Sequence, residues 1–508
     1  MKWILCQTKS TLGNFEQNRK TIQNLTKKHK DADLLIFPEM YLMGYPPEDL
    51  LELKHFIRKQ ERELHKIKYE KDSPALLFGA CTNKGKTFNS AVFKDKNKLQ
   101  IFHKLFLALS DTFDEKRFFS RSENSFNILN FKNKKILVLI CEDLWKIQKL
   151  PKSIDAVICI NASPFFPEQI QNRISYAQKI TKKTKAPLIY LNCVGAQDEL
   201  IFDGSSFVLN EKGEVCIQST SFKEEIICIN PWNLKKQKIR KKISDIQIKK
   251  EAIQLGIKEF ILHSGFKKVH LGLSGGLDSA LIACLLVDTF GPKKITALFL
   301  EGPFNPKLSK TLSKELSKEL GISWIEQPIV STYKHICNQH KKLSSIAKQN
   351  IQARLRSLFL MAYSNTHHSM LIGTSNKSEL ALGYATLYGD LSGALFPIGD
   401  LYKTEVQTMT KIFYSSQTIQ QILKRRPSAE LLKNQFDEDD LPPYDRLDPI
   451  LKNLIEKKKA PTTKLEKEIF SKVLNTEFKR KQSSIILKIS SKAFGRGRRY
   501  PIHVNYSP

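Results

Sequence analysis

Short apolar runs alternate with polar or amphipathic stretches through the first 230 residues. Trp3–Cys6 and Leu34–Phe37 read as buried strands, because an uninterrupted apolar run is what a strand covered on both faces requires. A helical spacing runs between them around Phe15–His29. Further strands are predicted at Leu76–Ala80, Ala91–Phe93, Ile136–Ile140, Ala156–Ile160 and Leu188–Asn192. Ser206–Leu209 and Glu225–Ile229 read as antiparallel pieces around the turn at Lys212-Gly213. The segment Gly79–Thr87 has one residue too many between its glycines for a phosphate-binding P-loop, and it reads as a strand and turn. Asn230-Pro231-Trp232-Asn233, followed by a lysine-rich run, marks a linker over 231–245. The pattern restarts at Ile246 with a helix and a strand at 269–273. A helix through Ala280–Val287, a strand at Ile295–Leu300, a helix over 306–320 and a strand at Ser323–Gln327 follow, as in a parallel α/β sheet. Beyond about residue 425 the chain is charged and broken by proline, and it is expected to form extended elements over the site of the second half.

At 508 residues the chain exceeds one hydrophobic core, so two domains are expected, 1–230 and 246–508. The nine cysteines are scattered singly without a CxxC pair, which argues against a disulfide framework or zinc site and fits a reducing cytosol. The opening Met-Lys-Trp-Ile-Leu-Cys-Gln turns polar too early for a signal peptide, and runs such as Leu281–Val287 are too short to span a bilayer. A soluble, cytoplasmic protein is expected. The net charge of +31 could be a nucleic-acid footprint, but the lysines are spread along the whole chain, so no nucleic-acid partner is expected.

Residues 272–279 read Gly-Leu-Ser-Gly-Gly-Leu-Asp-Ser directly after the run Val269-His270-Leu271. A strand that breaks into glycines and resumes as a helix brings backbone N–H groups and a helix N-terminus to one oxyanion. Asp278 and Ser279 then fall in the first helical turn, where an acid caps the helix or holds a cation that a polyphosphate carries. In the first half, three chemically active residues follow predicted strands: Glu39 after Leu34–Pro38, Lys104 after Ile101-Phe102-His103, and Cys141 after Ile136–Ile140. A thiol at a strand end, with a cation to stabilise charge and a carboxylate to take its proton, is a plausible nucleophile set.

These motifs carry two resemblances. Ser274–Ser279 resembles the SGGxDS loop of the N-type ATP pyrophosphatases, which split ATP between its α and β phosphates. Glu39, Lys104 and Cys141 resemble the Glu–Lys–Cys triad of the nitrilase, or carbon–nitrogen hydrolase, superfamily. Phe113-Asp114-Glu115, Asn161–Phe165 and Asn192–Gly204 extend that likeness. With Asn350–Arg354, Gly373–Glu379, Tyr388-Gly389-Asp390, Leu401–Thr404, Arg426–Leu431 and Lys492–Arg496, the whole chain resembles the glutamine-dependent NAD⁺ synthetases. The resemblance implies a nitrilase-like αββα sandwich, then a doubly wound parallel α/β sheet of the adenine-nucleotide alpha hydrolase type.

It further implies that Glu39 is the general base, that Lys104 stabilises the oxyanion and that Cys141 forms the thioester. Ser163, Ser110 and Gln169 would meet glutamine. Gly272, Leu273, Ser274, Gly275, Gly276, Leu277, Asp278, Ser279 and Thr374 would hold ATP, with Asp278 and Glu379 on Mg²⁺ and Lys403 on phosphate. Asn350, Glu379, Asp390 and Lys492 would line the deamido-NAD site. The partners implied are deamido-NAD, ATP and L-glutamine or ammonia, with no membrane, in a homo-oligomer.

Three departures stand out. Ser110 stands where the family carries a tyrosine, and Gln169 where it carries a basic residue, so weaker glutamine binding is expected. Glu301-Gly302-Pro303-Phe304-Asn305 replaces the usual Met-Pro-Ser-Arg-like loop. Two other readings stay open on the residues alone: an ammonia-dependent synthetase with a degenerate glutaminase half, and a PP-loop enzyme acting on tRNA.

Overall fold

Buried strands and amphipathic helices build two units, Met1–Ile243 and Ser244–Pro508. The structure, a computed structural model, describes residues 1–495 except 70–71, 84, 111, 236–242 and 341. Part of the expected linker and Arg496 therefore lie outside the described residues.

The strands of the first unit are β1 (Trp3–Gln7), β2 (Leu34–Ile36), β3 (Ala75–Asn83), β4 (Thr87–Lys94), β5 (Leu99–His103), β6 (Ile128–Phe131) and β7 (Lys134–Ile140). Then come β8 (Ala156–Asn161), β9 (Leu188–Asn192), β10 (Val194–Gln197), β11 (Leu200–Asp203), β12 (Phe207–Leu209), β13 (Val215–Gln218) and β14 (Glu225–Ile229). They form two six-stranded mixed sheets, ordered β14-β1-β2-β3-β4-β5 and β13-β12-β9-β8-β7-β6, while β10 and β11 form a hairpin. Alternation along each strand divides its side chains between two layers. Trp3, Leu5, Ile36, Leu77 and Phe93 of the first sheet share one core with Val138, Ile140, Ile158, Ile160 and Leu191 of the second. The intervening residues point outward. Ile4, Leu35, Phe37 and Phe78 meet Ile22 and Leu64 from the helices Phe15–Lys28 and Lys54–His65. Leu139, Val157 and Tyr190 meet Ile174, Ala177 and Ile180 of the helix Gln169–Thr184. Four layers, αββα, result.

One expected pairing is corrected. β12 does pair antiparallel with the strand beyond the Lys212-Gly213 turn, but that strand is β13. β14 joins the other sheet, antiparallel to β1 from Trp3↔Ile229 to Gln7↔Glu225.

In the second unit β15 (Lys268–Gly272), β16 (Ile295–Phe299), β17 (Ser323–Glu326) and β18 (Ser369–Leu371) form a parallel sheet ordered β17-β16-β15-β18. Leu298, Leu300 and Leu371 pack on Tyr333, Leu355 and Leu360 from the helices Val330–Gln339 and Ser345–His367. On the opposite face Phe299 stacks near Trp324, whose Nε1 donates to Ser313 Oγ of the helix Lys307–Leu320 at 3.0 Å. The sheet is therefore covered on both sides. Strand order reverses between β15 and β18, and such a reversal opens a crevice at the strands' carboxyl ends. The tail also departs from expectation. After the loop through 425–441 it folds into the helices Tyr444–Ile455 and Lys464–Asn475, whose Leu447, Leu451, Ile469 and Val473 are buried.

Candidate active sites

In the first unit Cys141 sits directly after β7 with φ +47°, in the left-handed region that non-glycine residues seldom occupy. Its backbone is fixed from both directions. Its N–H donates to the Ile160 carbonyl at 3.0 Å, and its carbonyl accepts from Leu144 N at 3.0 Å. Two residues on, the buried Asp143 carboxylate accepts from the backbone N–H groups of Ile140, Leu105 and Phe106, tying the Cys141 turn to the segment that follows Lys104. Burial raises its pKa to about 7 against those stabilising bonds.

Glu39 and Lys104 meet in the interior. Lys104 Nζ donates to Glu39 Oε1 at 2.8 Å and to Glu115 Oε1 at 2.9 Å. Asn89 Nδ2 donates to the same two carboxylates at 2.8 and 3.1 Å. Ala162 N–H reaches Glu39 Oε2 and Ala108 N–H reaches Glu115 Oε2, both at 2.7 Å. Lys104 and both carboxylates are almost wholly buried. Its desolvation is outweighed by Glu115 and Glu39, which hold the ammonium well above the usual lysine range. The Cys141 thiol is pushed up by burial and by the Glu39 charge, with Lys104 opposing. A thiol so raised rests in its neutral form, and the carboxylate that raises it most is Glu39.

The glycine of β3 makes this arrangement possible. A Cβ at Gly79 would lie 2.0 Å from Met40 N and 2.4 Å from Glu39 C, so only glycine lets the Glu39 segment rest on the strand.

The expected glutamine residues are placed unequally. Ser163 is buried near the triad, its N–H donating to Asn192 Oδ1 at 2.9 Å. Its carbonyl and Oγ accept from Arg173, whose guanidinium also pairs with Asp203 at 2.8 Å. Gln169 is the half-buried first residue of its helix. Ser110 is exposed, and its Oγ accepts from Thr112 N and Phe113 N at 3.2 Å each, so the hydroxyl is spent on closing a turn.

In the second unit a cavity of about 310 Å³ opens at the end of β15 and β18. Gly272, Leu273, Ser274, Gly276, Leu277, Asp278, Ser279, Thr374, Glu379, Asp390 and Lys403 line it together. Gly275 lies in the loop beside it with φ +80°, where a Cβ would approach Ser309 O to 2.4 Å. Gly276 caps the helix Leu277–Phe290, so the expected turn and helix N-terminus are both present. Asn350 and Lys492 do not line this cavity. Asn350 Oδ1 accepts from Thr386 Oγ1 at 2.8 Å, and the Lys492 carbonyl accepts from Lys377 Nζ at 2.8 Å.

Asp278, Glu379 and Lys403 form one cluster. Lys403 Nζ pairs with Asp278 Oδ2 and lies 3.6 Å from Glu379 Oε1. Asn376 caps the helix Lys377–Leu382 in a reciprocal box with Glu379, and its Nδ2 reaches Asp278 Oδ1 at 3.0 Å. Burial and the neighbouring Asp278 raise the Glu379 carboxyl to about 8, against Lys403. Oxygen donors facing one another across a cation are the donor set a hard divalent ion takes.

The comparisons agree with this division. Residues 5–230 match the carbon-nitrogen hydrolase family and residues 249–483 the NAD synthase family. The glutamine-dependent NAD(+) synthetase of Acinetobacter baylyi is 35% identical over 100% of this chain and 99% of its own. That of Synechocystis sp. is 35% identical over 99% of both. The chain belongs to the glutamine-dependent NAD(+) synthetase family. The solved glutamine-dependent NAD+ synthetase of Acinetobacter baumannii, in complex with ADP, superposes with a TM-score of 0.77 at 30% identity, over 99% of this chain and 98% of that one. Members of this family are glutamine-hydrolysing ligases that use ATP, and both halves are accounted for, which sets aside the tRNA reading. Among the described residues no helix is long and apolar enough to cross a membrane, and none of the nine cysteines forms a disulfide.

Several residues of these sites are not singled out by sequence reasoning. Glu115, the second carboxylate on Lys104, lies in Phe113-Asp114-Glu115, but no strand end marks it. Arg425 joins the cavity by donating to Gly275 O at 3.0 Å and to Glu430 Oε1 at 2.7 Å. Glu430 in turn accepts from Asn305 and Ser309, both at 2.6 Å. Asn305 belongs to the departing 301–305 loop, so that loop is built into the cavity rim.

Proposed function

We propose that the chain converts deamido-NAD to NAD⁺, with ATP activating the nicotinate carboxyl and ammonia supplied from L-glutamine. The observation that carries this reading is the buried Glu39–Lys104–Glu115 network beside Cys141, on the same chain as a cavity built on Ser274–Ser279. Glu39 takes the Cys141 proton as sulfur attacks the glutamine amide carbon. Lys104 balances the charge on the tetrahedral oxygen. The amide C–N bond breaks as the Glu39 proton passes to the leaving nitrogen, releasing ammonia and leaving a thioester. Water, deprotonated by Glu39, then releases glutamate. Glu115 and Asn89 hold Lys104 and Glu39 in register. Retaining the nucleophile as a neutral thiol until substrate arrives keeps a buried thiolate from forming without a partner.

In the second unit the backbone of Ser274–Gly276 and the following helix N-terminus would receive the ATP phosphates. Asp278 and Glu379 would hold Mg²⁺, which offsets the phosphate charge that develops as pyrophosphate leaves. Thr374 and Lys403 contact the nucleotide, and Asp390 the deamido-NAD side of the cavity. Attack of the nicotinate carboxylate on the α-phosphorus gives the acyl adenylate and pyrophosphate. Ammonia then displaces AMP. We place the reaction in a reducing, cytoplasmic setting and in a homo-oligomer, the latter checked by light scattering.

The test is NAD⁺ formation with glutamine or ammonium as donor. Cys141→Ala should lose glutamine-driven synthesis and keep ammonium-driven synthesis. Equal loss with both donors, in folded protein, would overturn the assignment of the thiol.

A further inference from the structure

The two carboxylates assigned to the metal are each engaged by side chains and backbone of this chain. Asn376 engages one oxygen of each, since its Nδ2 donates to Asp278 Oδ1 at 3.0 Å and its backbone N–H to Glu379 Oε2 at 3.4 Å. The remaining oxygens, Asp278 Oδ2 and Glu379 Oε1, both face Lys403 Nζ. The lysine is held in that position from its backbone. It is the first residue of the helix Lys403–Phe413, and its N–H donates to Ser378 Oγ at 3.0 Å. The ring of Tyr444 lies 5.6 Å from the ammonium, and Tyr444 OH donates to Asp437 Oδ2 at 2.9 Å. The ammonium thus occupies the place between the carboxylates where a divalent ion would sit.

We propose that Lys403 makes divalent-metal binding conditional on nucleotide, an inference that rests on the metal and ATP assignments made above. A free divalent ion must displace the ammonium from both oxygens and leave it, on a side chain that is almost wholly buried, facing the ion's own charge. An ion arriving with a polyphosphate brings its own remedy. The phosphate oxygens give the ammonium a new partner while the metal takes over Asp278 Oδ2 and Glu379 Oε1. The lysine stem is flexible enough for that exchange. Lys403 is therefore a specificity-determining residue: it selects the metal–nucleotide pair over the metal alone and keeps the site from filling with free cation.

The test uses Mn²⁺ as probe, followed by electron paramagnetic resonance on the full-length protein. Without nucleotide, Lys403→Met should bind Mn²⁺ at least about tenfold more tightly than wild type. Lys403→Arg, which keeps the charge, should stay weak. Asp278→Asn in the Lys403→Met background should abolish the gain, showing that it arises at this site. Wild type with an ATP analogue that cannot be cleaved between its α and β phosphorus should give a protein-bound Mn²⁺ spectrum distinct from that of the Mn²⁺–analogue complex alone. Equal Mn²⁺ affinity in wild type and Lys403→Met without nucleotide would overturn the proposal while leaving the metal site in place. A missing ternary spectrum would overturn the metal assignment, and the proposal with it. Should Lys403→Met fail to fold, Lys403→Gln takes its place, and tight nucleotide-free Mn²⁺ binding by wild type alone would refute the idea.

Discussion

Gly79→Ala is a small change with a large expected effect on one half-reaction only. The new methyl carbon would lie 2.0 Å from Met40 N, against the 3.4 Å at which ordinary contact begins, so the Glu39–Met40 peptide must recede by roughly 1.4 Å. β3 cannot give way instead, because it is an interior strand paired with β2 on one side and with β4 on the other, Gly79 lying opposite Ala91. Glu39 would then lose the 2.8 Å contact with Lys104 and the 2.7 Å contact with Ala162. A misplacement of about 1 Å at a reacting group can cost on the order of 100-fold in rate. Glutamine-driven NAD⁺ formation should therefore fall about 100-fold, while ammonium-driven formation is unchanged and reports that the second unit is intact. The overpacking should lower stability by roughly 1–3 kcal/mol, read as an earlier unfolding transition. Glutamine-driven turnover within threefold of wild type would show that Glu39 need not sit where the structure holds it.

Asp278→Asn should abolish pyrophosphate release with either donor, while thioester formation at Cys141 survives in hydroxylamine trapping; normal release would refute the carboxylate's role. Ser110→Tyr with Gln169→Lys should lower the Michaelis constant for glutamine and leave ammonium kinetics alone. The ring's added contact is worth roughly 1–2 kcal/mol where buried, less what the turn loses with the two bonds to Ser110 Oγ; an unchanged constant would refute a deficit at these two positions. His270 is buried within β15, with Nε2 against Leu360 O and Nδ1 against Ser369 Oγ, and burial lowers its pKa to about 4. The unfolded chain then binds a proton between pH 4 and 6.5 that the folded chain refuses, so stability is full above 6.5 and is lost as pH falls toward 4. At pH 5 the loss should be roughly 2 kcal/mol relative to pH 7. Asp143 and Glu379, with raised pKa, titrate in the opposite sense over the same range. The His270 contribution is therefore read as the stability difference between wild type and His270→Gln from urea unfolding, which should move by that amount between pH 7 and pH 5. A difference independent of pH would refute the assignment.

What could be read from sequence follows from how local its physical cause is. Trp3–Gln7, Ile136–Ile140 and Leu188–Asn192 are legible because double-sided burial demands continuous apolar runs. Val194–Gln197 mixes small and polar residues into a short strand and escapes such a search. β14 is recognisable as a strand, but its partner is β1, more than 200 residues earlier, and nothing in Glu225–Ile229 names that partner. The tail misleads in the opposite sense. Its prolines read as breakers, yet Pro449 sits inside the helix Tyr444–Ile455, where the apolar face outweighs one missing N–H. At the sites, Glu39, Lys104, Cys141 and Asp278 stand out because each follows a strand or opens a helix. Glu115 opens a single 3-10 turn and Glu430 lies in a loop, and only the folded chain brings them to Lys104 and to Arg425.

The left-handed backbone at Cys141 also bears on the domain's evolutionary future. A residue held at φ +47° by bonds on both sides cannot be exchanged freely once its chemistry is no longer under selection. Branched side chains are penalised there, whereas glycine and asparagine enter that region at little steric cost. A lineage that abandons amide hydrolysis but keeps this sandwich as a scaffold should drift at this position toward glycine or asparagine. The turn would outlast the sulfur, leaving a fossil of the active site in the backbone.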